Sequence, residues 1–370
     1  MKKIATLFAF LVLAGLAYLL FWPVPISPKA WDAPKNAGYT GPFVPNTELV
    51  GLKSLTIGDH HGPEDVAAKQ VDGKWQIYTS TQSGDIIRID PVANTATVVG
   101  NTGGVALGLD IDADGNLIIA DAHKGLLRMD EAGKITVLSD RADGIPIQYA
   151  DELAIASDGK IYFSDASTKF GAKAAGSTLA GSLLELMEHG STGRILVYNP
   201  ADQTTKTVLK GLSFPNGIAM CPEDRCLLFA ETGTYSIKRY WLEGEKAGTV
   251  ETIIDNLPGF PDNLNRGQDG RYWFGLTSPR AEALDNLSDK PFVRKIVQRL
   301  PAGMRPKAVS YGFVAAIDMD GNVIAQYQDP SGEYPLTTGA IEPGDGWLYV
   351  SSLAATRLGR KDIRNAPFNR

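Results

Sequence analysis

Six copies of one sequence pattern constrain this chain more than any other feature. Each copy has a turn, an apolar strand-like run, an Asp-Gly or equivalent turn, and a second apolar run that ends in a small or acidic residue. Asp-Gly between alternating apolar segments is a strong hairpin signal, and we expect type I′ turns with both residues at positive φ. The copies span residues 64–80, 107–121, 151–165, 216–231, 262–276 and 339–351.

The spacing of the copies predicts the architecture. Their first positions are 43, 44 and 46 residues apart where no insertion intervenes, a period typical of four-stranded propeller blades. Insertions follow the third and fifth copies, a helical segment at 178–189 and a longer one at 279–306. A run at 49–57 is expected to complete the last blade and close the ring. We therefore predict an all-β fold, a six-bladed β-propeller over residues 48–370, with a β-sandwich or two separate sheets as the alternative.

The N-terminus predicts a membrane anchor. Lys2 and Lys3 precede an uncharged apolar run from Ile4 to Trp22, long enough to cross a hydrocarbon core of about 30 Å. No small-residue cleavage pattern follows, so an uncleaved transmembrane signal-anchor within residues 1–26 is favoured over a cleaved signal peptide. The two lysines would stay in the cytoplasm, which places the propeller on the periplasmic or other extracytoplasmic side. The proline-rich residues 27–47 are expected to form an extended linker.

The cysteines and the net charge limit the classes of partner and cofactor. Cys221 and Cys226 flank a predicted hairpin turn, where an exported domain permits a disulfide; two small buried thiols are the alternative. Two cysteines without clustered histidines cannot supply the four ligands of a zinc site. The net charge of −6, with no basic stripe along the repeats, argues against nucleic acid as a partner.

The first position of each inner strand carries the candidate site. If the blades form a ring, these equivalent positions converge on its axis. Four of the six carry oxygen ligands and a neighbouring amide adds a fifth, a set that suits Ca²⁺ or another divalent cation once water or substrate completes about six to eight ligands. The alternative is that each side chain only caps its own turn. The predicted metal ligands are Glu64, Asp151, Asn216, Asp262 and Asn263.

Four segments, 163–170, 183–196, 214–219 and 239–242, carry a resemblance to a known superfamily. They resemble the six-bladed propellers that include gluconolactonases and paraoxonases, and most of all the branch of strictosidine synthase-like proteins and adipocyte plasma membrane-associated protein. The resemblance covers roughly residues 48 to 360. It implies that Glu64, Asn216, Asp262 and Asn263 hold a catalytic calcium, whereas Asp151 stands where those relatives usually have asparagine.

Two positions depart from the pattern of these relatives. Leu107 stands where paraoxonases carry a histidine proposed as a base. The segment 335–339, which includes Thr338, has no carboxylate where the Pictet-Spengler enzymes of the family place a catalytic glutamate. A strictosidine synthase-type lyase reaction is therefore the least favoured of the chemistries considered.

The chemistry that these residues favour is calcium-dependent hydrolysis of a small-molecule ester or lactone. A cation at the floor of a pocket would polarise the substrate carbonyl, and the resemblance to gluconolactonases implies that Asp262 is both ligand and general base. His60, His61 and His123 are weaker candidates for the base. The alternative function is a non-catalytic propeller in which calcium stabilises the axis and the insertions bind a protein or lipid. The apolar insertion around 183–187 would be a pocket lid in the first case and a docking surface in the second.

Overall fold

Six four-stranded antiparallel sheets form the blades in the computed structural model, which describes residues 2–366 and 368. The first blade contains β2 (Val66–Val71), β3 (Lys74–Thr79), β4 (Asp85–Asp90) and β5 (Thr95–Asn101). The second contains β6 (Ala106–Ile111), β7 (Leu117–Asp121), β8 (Gly125–Met129) and β9 (Ile135–Ser139), and is followed by the short pair β10 (Arg141–Ala142) and β11 (Ile145–Pro146). The third contains β12 (Ala150–Ile155), β13 (Ile161–Asp165), β14 (Gly193–Asn199) and β15 (Thr204–Leu212).

The remaining blades continue the same order. The fourth contains β16 (Pro215–Met220), β17 (Cys226–Glu231), β18 (Ser236–Trp241) and β19 (Val250–Ile254). The fifth contains β20 (Gly259–Arg266), β21 (Tyr272–Pro279), β22 (Gly312–Ile317) and β23 (Val323–Asp329). The sixth combines β24 (Thr337–Ile341), β25 (Trp347–Ser352) and β26 (Arg357–Asp362) with β1 (Lys53–Thr56). The predicted all-β six-bladed propeller is confirmed.

The ring is closed by the two ends of the propeller domain. β1 pairs antiparallel with β26, so that Lys53 lies opposite Arg360 and Leu55 opposite Leu358. Leu55 and Leu358 are fully buried between the sixth and first blades, in one apolar cluster with Ile77. The predicted closing strand is therefore present, four residues long within the run at 49–57.

The hairpin turns follow the Asp-Gly pairs, but the expected turn type is wrong at three of them. Asp72-Gly73 and Asp269-Gly270 have both residues at positive φ, as a type I′ turn requires. At Asp114-Gly115, Asp158-Gly159 and Asp345-Gly346, only the glycine is at positive φ. A longer loop explains the difference, because a type I turn followed by one left-handed residue needs glycine at that single position.

Neighbouring inner strands approach so closely at Gly217 that no side chain fits there. A Cβ atom at this position would clash with the backbone nitrogen of Leu264 and the carbonyl oxygen of Asp262. These atoms belong to β20, the inner strand of the next blade, and to its end nearest the predicted ligands. The glycine therefore sets the separation of the fourth and fifth blades at the axis.

The Gly217→Ala substitution is expected to lower the free energy of unfolding by about 1–3 kcal/mol, because it overpacks a rigid contact between backbones. Chemical denaturation measures this change. Gly303→Ala is the matched control: a Cβ there has no atom within 4 Å, so a change within about 0.5 kcal/mol is expected. Equal losses in the two variants would contradict the close-approach argument.

Five α-helices of the described residues lie outside the blades. α1 (Lys2–Phe21) is long and apolar enough to be a membrane anchor or a signal sequence, and none of its residues is buried. The first insertion forms α2 (Ala172–Ala175) and α3 (Thr178–Glu188), and the second forms α4 (Glu282–Asp285) and α5 (Pro291–Arg299). α3 begins after Ser177, whose Oγ accepts a hydrogen bond from the Ala180 amide, and ends at His189 in the left-handed conformation.

The segment 23–47, called the strap below, is extended but is not a free linker. Ile26 is buried in the largest apolar cluster, and the Trp31 ring stacks on His189 with centroids 4.0 Å apart. The Lys29 amide donates to the Glu188 carbonyl at 2.9 Å, and Phe43 packs on the fifth blade. Proline content indicated the extended backbone, but not these aromatic anchors, whose partners lie far away in the chain.

Cys221 and Cys226 are joined by a disulfide, which is the first of the two alternatives drawn from the sequence. The bond closes the loop between β16 and β17, and both residues are buried.

Candidate functional site

A β-bulge at the same register of the inner strand aims the candidate residues at the axis. In five of the six blades the inner strand has one extra residue relative to its partner strand near its N-terminal end, and the residues within this bulge include Leu107, Asp151, Asn216 and Asp262. In the first blade Glu64 precedes β2. Bulges occur beside active sites because the extra residues redirect side chains out of the regular alternation.

The five predicted ligands are brought together at the axis and are all buried. The Asn216 side-chain amide donates to Asp151 Oδ2 at 3.1 Å and also to Asp262 Oδ1. The Asn263 amide donates to the Glu64 backbone carbonyl at 3.0 Å. These hydrogen bonds connect residues from four blades, as the repeat register predicts.

Burial raises the pKa of every carboxyl group in this cluster. The pKa of Asp262 is raised to about 8, first by burial and then by the charge of Asp65. The pKa values of Glu64 and Asp151 are raised well above their usual range by burial, and next by the charge of Asp262. Three carboxylates in one buried cluster repel each other, so the cluster needs protons or a cation to be stable.

Three buried oxygen atoms of this cluster have no hydrogen-bond partner within the described residues: Glu64 Oε2, Asn216 Oδ1 and Asn263 Oδ1. Buried acceptors without donors are rare in folded proteins, and a hard cation satisfies oxygen acceptors of this kind. The donor set therefore fits a divalent cation such as Ca²⁺.

The carboxylates alone do not form a metal site. In residues 2–366 and 368, no three histidine, cysteine, aspartate or glutamate side chains are placed together to hold a metal ion. A cation at the axis would therefore depend on the amide oxygens of Asn216 and Asn263, and on a small approach of the carboxylates.

A cavity of about 420 Å³ ends on this cluster. Glu64, Asp151, Asn216 and Asp262 lie at its floor, and Asp262 is the most exposed of them at 7%. The walls are mostly apolar, as in pockets that bind small organic molecules. All six blades contribute to the cavity, the first only through Glu64 at the floor, and the wall residues include Leu107, Phe214, Phe260, Thr277, Leu336 and Leu353.

The two insertions cover the cavity. α3 contributes Leu183 and Met187, and the second insertion contributes Leu284. The polar side chains of Gln298, Arg305 and Lys307 and the strap residue Pro25 complete the lining. The predicted apolar insertion thus lies over the cavity, where it can act as a lid.

None of the four histidines, all within the described residues, lines this cavity. His60 Nδ1 lies 3.2 Å from Asp85 at the first blade, and His123 is partly buried beyond the end of β7. His189 is at the end of α3, on the strap side. The histidines considered as bases are therefore not placed for that role.

Several residues of the site were missed by the sequence analysis. Tyr149, buried in the wall, donates its hydroxyl proton to the Thr178 carbonyl at 2.9 Å and so ties the third blade to α3. Asp65 and Glu152 form a second pair of buried carboxylates directly after two predicted ligands. The signal was present in the doublets Glu64-Asp65 and Asp151-Glu152, and the second doublet lies in a bulge that buries both of its members.

His189 should make the stability of the folded protein depend on pH. Burial, and then the Arg294 charge, lowers its pKa from 6.5 to about 4. Between these values the unfolded chain binds a proton that the folded chain does not, so stability falls as the pH falls through this range. The full loss, reached near pH 4, corresponds to about 3 kcal/mol.

Urea unfolding at several pH values measures this dependence. His189→Asn is the informative variant, since asparagine tolerates the left-handed conformation and does not titrate. It should have a flatter stability profile between pH 7 and about 4. Parallel profiles for the two proteins would show that His189 is not the group responsible.

Two family models match this chain. The model described as strictosidine synthase matches residues 151–245, and the model described as strictosidine synthase-like, N-terminal, matches residues 41–89. These ranges contain three of the predicted ligands, Glu64, Asp151 and Asn216.

The chain is also similar to curated proteins along most of its length. Protein STRICTOSIDINE SYNTHASE-LIKE 7 of Arabidopsis thaliana is 34% identical over 333 residues, which cover 88% of this chain and 85% of that protein. The adipocyte plasma membrane-associated protein of Danio rerio is 28% identical over 380 residues, which cover 97% of this chain and 89% of that protein.

Solved structures share the fold at low sequence identity. A gluconolactonase from Xanthomonas campestris superposes with a TM-score of 0.58 at 16% identity, covering 91% of this chain and 98% of that one. The calcium-binding protein regucalcin from Agrobacterium tumefaciens has a TM-score of 0.57 at 16% identity, covering 84% of this chain and 94% of that one.

Proposed function

Because this chain belongs to the strictosidine synthase-like family, we propose that it is a membrane-anchored hydrolase of small-molecule esters or lactones with Ca²⁺ at the propeller axis. The observation that carries the proposal is the axial cluster on which an apolar cavity ends: it has three carboxyl groups and three buried oxygens that have no hydrogen-bond partner within the described residues. An apolar cavity has no reason to end on charged groups unless they bind or react with something.

The cation would be held by Glu64, Asp151, Asn216, Asp262 and Asn263, and when bound it would polarise the substrate carbonyl. Asp262 would take up the proton of the attacking water. Its Oδ1 accepts from Asn216, whereas its Oδ2 has no hydrogen-bond donor within the described residues. Oδ2 is therefore available to take up a proton as water attacks.

Other residues of the site orient the substrate and limit its chemistry. The apolar walls would bind the hydrocarbon part of an ester or lactone and exclude bulk water from the floor. Thr338 Oγ1 donates to the Glu64 carbonyl at 2.6 Å, so it supports the backbone of a predicted ligand. Leu336 faces the cavity from the same segment. With no carboxylate in this segment, the site does not favour lyase chemistry of the strictosidine synthase type.

A substrate screen with the full-length protein in detergent tests the proposal. Aryl esters and lactones are offered with and without a calcium chelator, and calcium is then restored. Turnover that disappears with the chelator and returns with calcium supports the hydrolase. Turnover that is indifferent to the chelator would overturn the metal-dependent mechanism.

A non-catalytic propeller is the second candidate. The cavity has no histidine and no activated serine among the described residues, and the names of the similar curated proteins state no established reaction. In this case calcium would raise the melting temperature and no substrate would be turned over. Calcium binding without turnover across both substrate classes favours this function.

A further inference from the structure

The C-terminal end of α1 is hydrogen-bonded to the second insertion, next to a residue that lines the cavity. Arg299, the last residue of α5, donates to the carbonyl oxygens of Leu19 at 2.9 Å and Trp22 at 2.5 Å. The Tyr18 hydroxyl donates in return to the Arg299 carbonyl at 3.1 Å. Gln298, the residue before Arg299, lines the cavity. The end of the apolar helix and the mouth of the cavity are therefore neighbours.

The strap prevents α1 from swinging away from this position. Pro25, three residues after Trp22, lines the cavity, and Ile26 is buried. The amides of Ser27 and Lys29 then donate to Glu188, at the end of α3. A flexible tether would leave the orientation of the propeller free, whereas a docked strap of this kind fixes it relative to the helix axis.

The second insertion has the composition of a lipid-binding surface. Residues 290–310 contain six lysines and arginines and no aspartate or glutamate, in a chain of net charge −6. Arg294 and Arg299 are buried, Lys290 pairs with Asp289, and Arg305 donates to the Leu300 carbonyl. Lys295 and Lys307 have no ion pair within the described residues and remain for contacts outside the protein. Cations beside apolar side chains suit an interface with anionic lipids.

Three large apolar side chains of this segment are exposed. The exposed fractions are 55% for Phe292, 68% for Met304 and 58% for Val309. Met304 and Val309 flank the cavity residues 305–308 in the chain, and Phe292 lies on α5, which contributes Gln298 to the cavity. α1 is exposed up to Tyr18 and half-buried at Leu19 and Leu20, where it meets Arg299 of the second insertion. The apolar surface of α1 is therefore followed by the exposed apolar side chains and the cations of the second insertion.

We propose that the surface around the cavity mouth, formed by Phe292, Lys295, Met304, Lys307 and Val309, rests on the anionic lipid surface of the membrane that α1 spans. The mouth then opens at the interface between lipid and water, and ligands enter from that interface. The proposal requires that α1 is retained in the mature protein, and it holds whether the cavity is catalytic or only binds.

A fluorescent probe in the full-length protein tests this placement. Cysteine replaces Met304 or Phe292, and the new thiol is labelled with an environment-sensitive nitrobenzoxadiazole group; the two native cysteines are in a disulfide. The protein is reconstituted in nanodiscs of phosphatidylcholine and phosphatidylglycerol that contain lipids with a nitroxide on the acyl chain. An interfacial side chain lies about 5–10 Å into the headgroup region, so both probes should be strongly quenched.

Val92→Cys is the matched control, because Val92 is 94% exposed at a turn between β4 and β5. A probe there is expected to be unquenched. Equal quenching at 304 and 92 would overturn the proposal. In the Lys295→Glu, Lys307→Glu double variant, contact of the Met304 probe with anionic discs should weaken about fivefold per lysine.

Mass spectrometry of the protein purified from membranes gives an independent check. Recovery of an intact N-terminus is expected. A mature chain that lacks residues 1–22 would overturn the proposal, because Arg299 would lose the carbonyls that it binds.

Discussion

Replacing Asp262 with alanine is expected to reduce turnover of any ester or lactone substrate by at least about 100-fold, because the substitution removes the proposed base. It also removes a predicted ligand from the axial cluster, so the calcium concentration needed for half-maximal activity should rise. The rate is measured with the best substrate from the screen, over a range of calcium concentrations. Activity close to that of the unmodified protein would exclude Asp262 as the base.

The same substitution is not expected to destabilise the metal-free protein. The pKa of Asp262 is raised to about 8, which means that the folded state disfavours its ionised form. At pH 7 alanine relieves this cost, so the melting temperature without calcium should stay the same or rise. Loss of activity with retained stability separates a catalytic effect from misfolding.

Asp110→Asn is the control for Asp262→Ala. Asp110 lies on the inner strand β6. The pKa of its carboxyl group is raised to about 6, mainly by burial. It lies at the other end of that strand, away from the cavity, and accepts hydrogen bonds from the Ile111 and Ile155 amides. Little change in activity is therefore expected.

Replacing Arg294 with methionine is expected to lower the free energy of unfolding by about 2–4 kcal/mol, since a hydrogen bond to a charged group contributes a net of about 1.5–3 kcal/mol and the carbonyls would lose their donor. Its guanidinium group is fully buried. It donates to the carbonyl oxygens of Met187 at 3.1 Å, Ser288 at 3.0 Å and Lys29. One cation thus joins the end of the α3 lid, the second insertion and the strap.

The Arg294→Met substitution should lower the local stability of the α3 region as well as the free energy of unfolding of the whole domain. Without Arg294 the carbonyls at the end of α3 lose their donor, so limited proteolysis should cut the 171–192 segment faster than in the unmodified protein. Lys295→Met is the control, because it changes the next residue of the same helix and leaves these hydrogen bonds in place. Equal protease sensitivity and equal stability in the two variants would show that Arg294 does not hold the lid.

Repetition explains how much of the fold was predictable. Each blade is built from consecutive strands, so the signals that define it, such as Asp72-Gly73 and Asp269-Gly270, are local in the chain. Even the closing strand could be recognised, because an apolar run before the first copy had no other partner. The exact turn type was not predictable, since Asp-Gly suits both a two-residue turn and the left-handed position of a longer loop.

The contacts that hold the strap, α3 and the second insertion together over the cavity had no local signal in the sequence. Arg294 and Lys29 are 265 residues apart, and Trp31 and His189 are 158 apart, with no repeat to align them. Arg294 looks like any other cation of a basic amphipathic helix. Its burial depends on which segments pack around it, and that follows only from the tertiary structure.

The candidate site was partly predictable for the same reason as the fold. Asp151, Asn216 and Asp262 stand at one register of the repeat, and an equivalent register must meet at the axis of a ring. The bulges that bury the next residue as well, such as Glu152, depend on strand pairing and could not be seen in a single sequence. That these groups hold Ca²⁺ stays a prediction.

The pairing of β1 with β26 also determines when the sixth blade can form as the chain is synthesised. β1 is synthesised before any blade, and its partner is the last strand of the described chain. Loop closure over such a distance has an entropic cost, and until residues 357–362 emerge β1 remains an unpaired edge. Because α1 and the strap precede β1, an anchored chain would keep that edge close to the membrane while the other blades form. The ring therefore closes only when residues 357–362 are available to pair with β1.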